Sequence, residues 1–159
     1  MGTASTPGSL VLLTRLAREV FGRSTEDVLG IRLKQYMLLR DLADHGGAVP
    51  QQTLCGTLHL DPNNLVLMLN EIESAGFAER RRDLDDRRRH IVELTPAGVR
   101  ALERAEKGMQ GVEDEVLSAL SASERVELGR LLSLALSDEG QAAADSSADK
   151  RQAAAAAGR

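Results

Sequence analysis

PQQTLCGTLHLDPNNLVLMLNEIESAG, running from Pro50 to Gly76, carries two short amphipathic helices joined by a tight turn. Pro50 suits the first turn of a helix, where a missing N–H costs nothing, and Leu54, Cys55 and Leu58 then form its inner stripe. Leu60 leads into the turn. Asp61-Pro62 reads as an N-cap followed by proline at the first helical position, and Leu65, Met68, Leu69 and Ile72 continue an apolar face as far as Gly76. From Phe77 to Leu94 the period changes. A short run leads to a charged tip, Asp83 to Arg89, and Ile91, Val92 and Leu94 return with β-branched character, the pattern of a β-hairpin. Two short helices joined by a tight turn and followed by a hairpin predict a winged helix-turn-helix.

Working outward, residues 9–22 place Leu10, Leu13, Leu16, Ala17, Val20 and Phe21 on one face of a first helix. The polar stretch Gly22 to Gly30 breaks that pattern, and Leu33, Tyr36, Met37, Leu39 and Leu42 resume it in a second helix that stops near His45-Gly46-Gly47. Beyond the hairpin, Thr95-Pro96 opens a long helix to about residue 119. Ser121-Ala122-Ser123-Glu124 resembles the cap of a last helix ending near Leu136. The Ala-, Ser-, Asp- and Lys-rich end, residues 137–159, holds no large apolar residue past Gln141, so it reads as a disordered tail, with a frayed helix as the form alanine would favour.

The expected fold is therefore mainly α with a small β-hairpin wing, one domain over 9–136 with its winged core at about 31–95. The first helix and the segment 96–136 expose more apolar surface than one subunit can cover, which predicts a homodimer built on these two regions.

Composition narrows the function. Hydrophobic residues make up 42% of the chain and aromatic residues 2%, so the core is expected to be built from Leu, Val and Ala. No apolar run approaches the roughly 20 residues that span a bilayer, and Met1 to Ser9 lacks the pattern of a secretory signal, so a cytoplasmic protein without membrane contact is expected. The net charge of -4 argues against a chain that simply coats nucleic acid, because such binding rests on Lys and Arg neutralising phosphates. Any contact with DNA must use a local patch. The wing supplies one, since Arg80, Arg81, Arg82, Arg87, Arg88 and Arg89 face Glu79, Asp83, Asp85 and Asp86 for a local net charge of +2.

Three segments together resemble the MarR family of bacterial transcriptional regulators. Gly30 to Arg40, GIRLKQYMLLR, looks like the family's second-helix signature, Pro50 to Gly76 aligns with its helix-turn-helix, and Asp83 to Gly98, DLDDRRRHIVELTPAG, matches its wing and the following helix start. The resemblance covers about residues 10–136. It implies an obligate homodimer whose first, fifth and sixth helices intertwine, and control by a small-molecule effector or an oxidant. No other cofactor is expected.

In helix-turn-helix proteins the second helix of the motif enters the major groove of double-stranded DNA. Here that leaves Asn63, Asn64, Leu67, Asn70 and Glu71 on the outer side. Asparagine can pair with adenine N6 and N7, and Leu67 can touch a thymine methyl. The family more often carries Thr and Arg at Val66 and Leu67, so this helix has no cation between Asp61 and Ala75. On the wing, Arg82, Arg87, Arg88 and Arg89 are the candidates for a narrow minor groove or for phosphates, with Asp85 or Asp86 orienting an arginine.

The effector the resemblance implies binds between the winged module and the dimer helices, where Arg15, Arg18 and Tyr36 are candidates. Against that stands the ordinary reading of a core tyrosine and solvated arginines. Cys55 opens the alternative of a redox-sensing regulator, weighed against a packed core thiol. His45, His59 and His90 lack the spacing of a metal site, and no nucleophile–base pair, phosphate-cradling loop or metal cluster supports an enzyme. A second alternative, a winged-helix protein-interaction module, is disfavoured by the arginines that flank the hairpin.

Overall fold

The computed structural model describes residues 7–58 and 60–136. In chain order these form α1 (Ser9–Arg23), α2 (Glu26–Leu29), α3 (Leu33–Asp44), β1 (Ala48–Pro50), α4 (Gln51–Thr57), α5 (Pro62–Ser74), β2 (Ala78–Arg82), β3 (His90–Leu94) and α6 (Pro96–Val116). A further helix, α7, covers 122–136. The chain divides into two compact units between Ser118 and Ala119. The Ala-rich segment 137–159 and His59 lie outside the described residues.

Four local expectations need correction. The wing is a three-stranded antiparallel sheet of order β1-β3-β2 rather than a hairpin alone. The extra strand is three residues long, too short to leave a period in sequence, but its Val49 is buried and pairs with Val92. Pro50 ends that strand and occupies the N-cap of α4 instead of its first turn. The stretch 22–30 contains the one-turn helix α2, whose Leu29 is fully buried, and α6 stops at Val116, short of residue 119.

The first unit has one core, formed by Leu29, Leu38, Leu39, Leu42, Leu54, Leu65, Leu69, Ile72 and Val92 with smaller neighbours. Each such side chain contributes about 1.5–3 kcal/mol on full burial. In α5 the spacing of Leu65, Leu69 and Ile72 turns one face inward, and Met68 packs at its margin. Asp61 caps this helix by accepting from the backbone N–H of Asn63 at 3.0 Å and of Asn64 at 3.1 Å.

The joint between α5 and the wing is tightly specified. Gly76 turns with φ +74, a conformation that side chains bearing a Cβ rarely adopt, and lets Phe77 N–H return to the carbonyl of Ile72 at 2.8 Å. Thr95 caps α6 by accepting from Gly98 N–H at 3.0 Å while its hydroxyl donates to the Gly76 carbonyl at 2.6 Å. A Cβ on Gly98 would sit 1.9 Å from the Phe77 carbonyl oxygen, so only glycine lets α6 start against this turn. The start of α6 thereby ties the end of α5 to the start of β2.

In the second unit α7 begins with a reciprocal cap. Ser121 N–H donates to Glu124 Oε2 at 2.7 Å and Glu124 N–H donates to Ser121 Oγ at 3.4 Å, as the motif in the sequence predicts. The Ser121 hydroxyl bond also lowers the Glu124 carboxyl pKa. Both terminal helices carry exposed apolar side chains, Leu10 and Phe21 on α1 and Val126, Leu134 and Leu136 on α7. Among the described residues no helix is long and apolar enough to cross a membrane.

Candidate nucleic-acid interface

Helix α5 presents Asn63, Asn64, Val66, Leu67, Asn70 and Glu71 to solvent, as its inward face requires. Most of the polar ones already have partners. The Asn64 side-chain amide donates to the Asp61 carboxylate, and Asn70 Oδ1 accepts from Arg80 Nη2. The Glu71 carboxylate pairs with Arg32 at the start of α3, 2.8 Å away. Among the described residues Asn63 has no side-chain hydrogen bond, and Leu67 is 61% exposed.

The register of the wing sorts its arginines. Ala78, Arg80 and Arg82 pair with Leu94, Val92 and His90 on one face of the sheet, while Glu79 and Arg81 pair with Glu93 and Ile91 on the other. Arg80 therefore shares the face that packs on α5. Its backbone N–H and its Nε each donate to Glu73 at 2.8 Å, and its Nη2 reaches both Glu73 and Asn70 Oδ1. The Arg80 guanidinium holds the Glu73 carboxyl below the usual carboxylate range, against a smaller opposing effect of burial. Arg81 is bound to Glu93 across the strands at 2.7 Å.

These two arginines, counted in sequence as part of the positive patch, are struts. The charge left for a partner lies on Arg82, Arg87 and Arg88, which have no ion-pair partner among the described residues, and on Arg89, whose Nε is 3.8 Å from Asp86. Two aspartates shape the tip. Asp83 accepts from the Asp85 backbone N–H at 3.0 Å, and Asp86 from that of Arg88 at 3.0 Å. The backbone of Asp83 and Arg89 closes the loop at 3.0 Å. Asp86 thus both turns the chain and faces Arg89, whereas Asp85 contributes its backbone N–H. Sequence reading missed Asp83 and Glu73. The aspartate two residues before an N–H that must be satisfied signals the first, and the alternation that puts Arg80 beside Ala78 signals the second.

Two open clefts flank this surface. One, of about 190 Å³, lies between α4 and the wing and is lined by Pro50, Gln51, Gln52, Arg88, Arg89 and His90. The other, of about 480 Å³, lies between α3 and α5, with Arg32, Lys34, Gln35, Leu67, Met68 and Glu71 among its walls. Arg15 and Arg18 are exposed on α1, and none of Arg15, Arg18 and Tyr36 lines either cleft. Tyr36 is half-buried against the core, and burial, with the charge of Glu106, raises its pKa.

Cys55 also packs at the edge of the core. Its thiol pKa is raised by burial and by the charge of Asp61, the opposite of the shift a reactive thiolate needs. His45 Nδ1 lies 2.8 Å from the Asp41 carbonyl, and His90 lies on β3. Among the described residues no group of His, Cys, Asp and Glu could hold a metal ion.

Comparison with known proteins adds a family to this geometry. The model of the MarR family matches residues 31–90, the segment from the start of α3 to the wing. The transcriptional regulator HosA of Escherichia coli is 30% identical over 113 residues, which make up 71% of this chain and 83% of HosA. Among solved structures, a cysteine-to-serine mutant of MarR from E. coli, complexed with operator DNA, is 25% identical with a TM-score of 0.68, covering 79% of this chain and 91% of that one. A MarR-family transcriptional regulator from Rhodococcus sp. RHA1 shares the fold at 22% identity and a TM-score of 0.74, covering 82% and 94% of the two chains.

Proposed function

This chain belongs to the MarR family of transcriptional regulators, which are DNA-binding proteins and not enzymes, and on that footing we propose that it acts as a homodimer on a palindromic operator and represses transcription from it. Each subunit sets α5 in the major groove and its wing on the adjacent minor groove and phosphates, with half-sites about 10 bp apart centre to centre. The single observation that carries this reading is the wing. Arg82, Arg87 and Arg88 stand without ion-pair partners among the described residues, at the end of a sheet that Arg80 and Glu73 lock to α5.

An interaction module would have no physical need for permanent charge held out in this way. The apolar side chains exposed on α1 and on α7 support the dimer, because an exposed apolar patch marks a partner surface. The reading includes a small-molecule effector. A raised thiol pKa at Cys55 weighs against the redox-sensing alternative.

The test is selection of bound sequences from random duplex DNA by the purified protein at two salt concentrations, beside an Arg87→Ala/Arg89→Ala double variant. A palindrome enriched by the wild type alone, with affinity falling steeply as salt rises, supports the reading. No enrichment at either salt overturns it in favour of a protein-interaction module. A reporter placed behind the selected operator then reads the sign of regulation.

A further inference from the structure

Resting on the placement of α5 in the major groove, we propose that this helix discriminates bases chiefly through the 5-methyl group of thymine, contacted by Leu67 and Val66, with Asn63 the one side chain left for a hydrogen bond to a base edge. Hydrogen-bonded readout needs outward polar side chains with donors or acceptors to spare. Of the four on this face, only Asn63 at the helix start is without such a partner among the described residues; Asn64 is held by Asp61, Asn70 by Arg80, and Glu71 by Arg32. Turning any of these to a base exchanges one hydrogen bond for another, which leaves little net gain to separate right from wrong sequence.

The opposite holds for the apolar pair. Leu67 is 61% exposed and Val66 36%, so Leu67 keeps most of its surface, and Val66 a smaller part, in water until a partner arrives. Adjacent residues on a helix point about 100° apart, so the two sweep neighbouring base pairs instead of competing for one. The apolar group on the major-groove edge of a base pair is the thymine methyl. Guanine, the usual target of arginine or lysine, has no reader on α5, because no cation lies between Asp61 and Ala75. Affinity and discrimination are thereby divided, with charge on the wing and apolar contact on the helix.

The experiment uses the full-length protein and the operator it selects, with each thymine of one half-site replaced in turn by uracil, which lacks only the methyl. At one or two positions uracil is expected to weaken wild-type binding about fourfold, the equivalent of about 0.8 kcal/mol for one buried carbon. Leu67→Ala is expected to bind the thymine duplex more weakly and to treat uracil and thymine alike at one of those positions. Leu67→Met, which keeps an apolar reach, is expected to retain the preference.

Equal binding of thymine and uracil duplexes by the wild type would overturn the inference while leaving the regulatory reading intact. A uracil effect that persists unchanged in Leu67→Ala would assign the preference to DNA shape and overturn it too. Failure to select any operator would overturn the regulatory reading itself.

Discussion

Helix α5 and the wing are neighbours on one scaffold, yet they turn opposite chemistry to solvent. The helix has spent three of its four outward polar side chains, Asn64, Asn70 and Glu71, on contacts within the protein and shows Leu67 and Val66. The wing has spent two of its arginines on struts and holds the others at a tip organised by Asp83 and Asp86. Apolar contact is short-ranged and insensitive to salt, whereas permanent charge acts at a distance and weakens as counterions compete. For a protein of net charge -4, the proposed contact with DNA therefore has the wing leading.

The comparison holds only while the two regions form one rigid reader, and the shared joint is where it breaks most severely. Replacing Gly98 by Ala would push a methyl group against the Phe77 carbonyl, which backbone cannot yield cheaply. The expected cost is about 3 kcal/mol or more, seen as a shift of the urea unfolding midpoint, with operator binding lost through both regions together. An unshifted midpoint would show that the joint yields easily and that the two regions are less firmly coupled than the geometry says.

Removing charge separates the regions instead of destroying both. Arg87→Ala/Arg88→Ala is expected to lower operator affinity on the order of 10- to 100-fold at low salt and to reduce the slope of log K against log salt by about 2, with base preference unchanged. Leu67→Ala should do the reverse, changing preference and leaving the slope alone. If both variants altered slope and preference together, the division between wing and helix would be wrong.

Much of this was legible in sequence, for reasons that differ by element. The inward faces of α5 and α3 could be read because helical spacing repeats, and the caps at Asp61, Thr95 and Ser121 because their side-chain types have few other uses before a helix. Strand β1 could not be read, since three residues beside a proline carry no period and its place depends on pairing Val49 with Val92, more than forty residues away. The wing's charge was legible as a sum but not in its distribution. Six arginines in sequence look equivalent, and only the register of β2 on β3 sends Arg80 to Glu73 on α5, while Arg82 has no ion-pair partner among the described residues. For the same reason Glu73 gave no sign of function. It lies seven residues from Arg80, a distance that means nothing until the Gly76 turn folds the chain back.

That pair gives the smallest effect and the finest test of how the two regions are joined. The Glu73 carboxyl pKa is lowered in the folded protein, chiefly by the Arg80 side-chain bond, so its ionised form stabilises the fold. The sign follows from linkage. The contribution is fully present above the ordinary carboxylate pKa of about 4.3 and is lost as pH falls through the lower folded value. Glu73→Gln is therefore expected to cost about 1 kcal/mol at pH 7, with the difference from wild type shrinking as the solution is made more acidic than about pH 4. A difference that stayed constant down to pH 3 would mean that the glutamate acts through shape and hydrogen bonding alone. In that case the coupling of helix to wing would rest on the Gly76 turn and Gly98, and the salt slope of operator binding should be the same in Glu73→Gln as in the wild type.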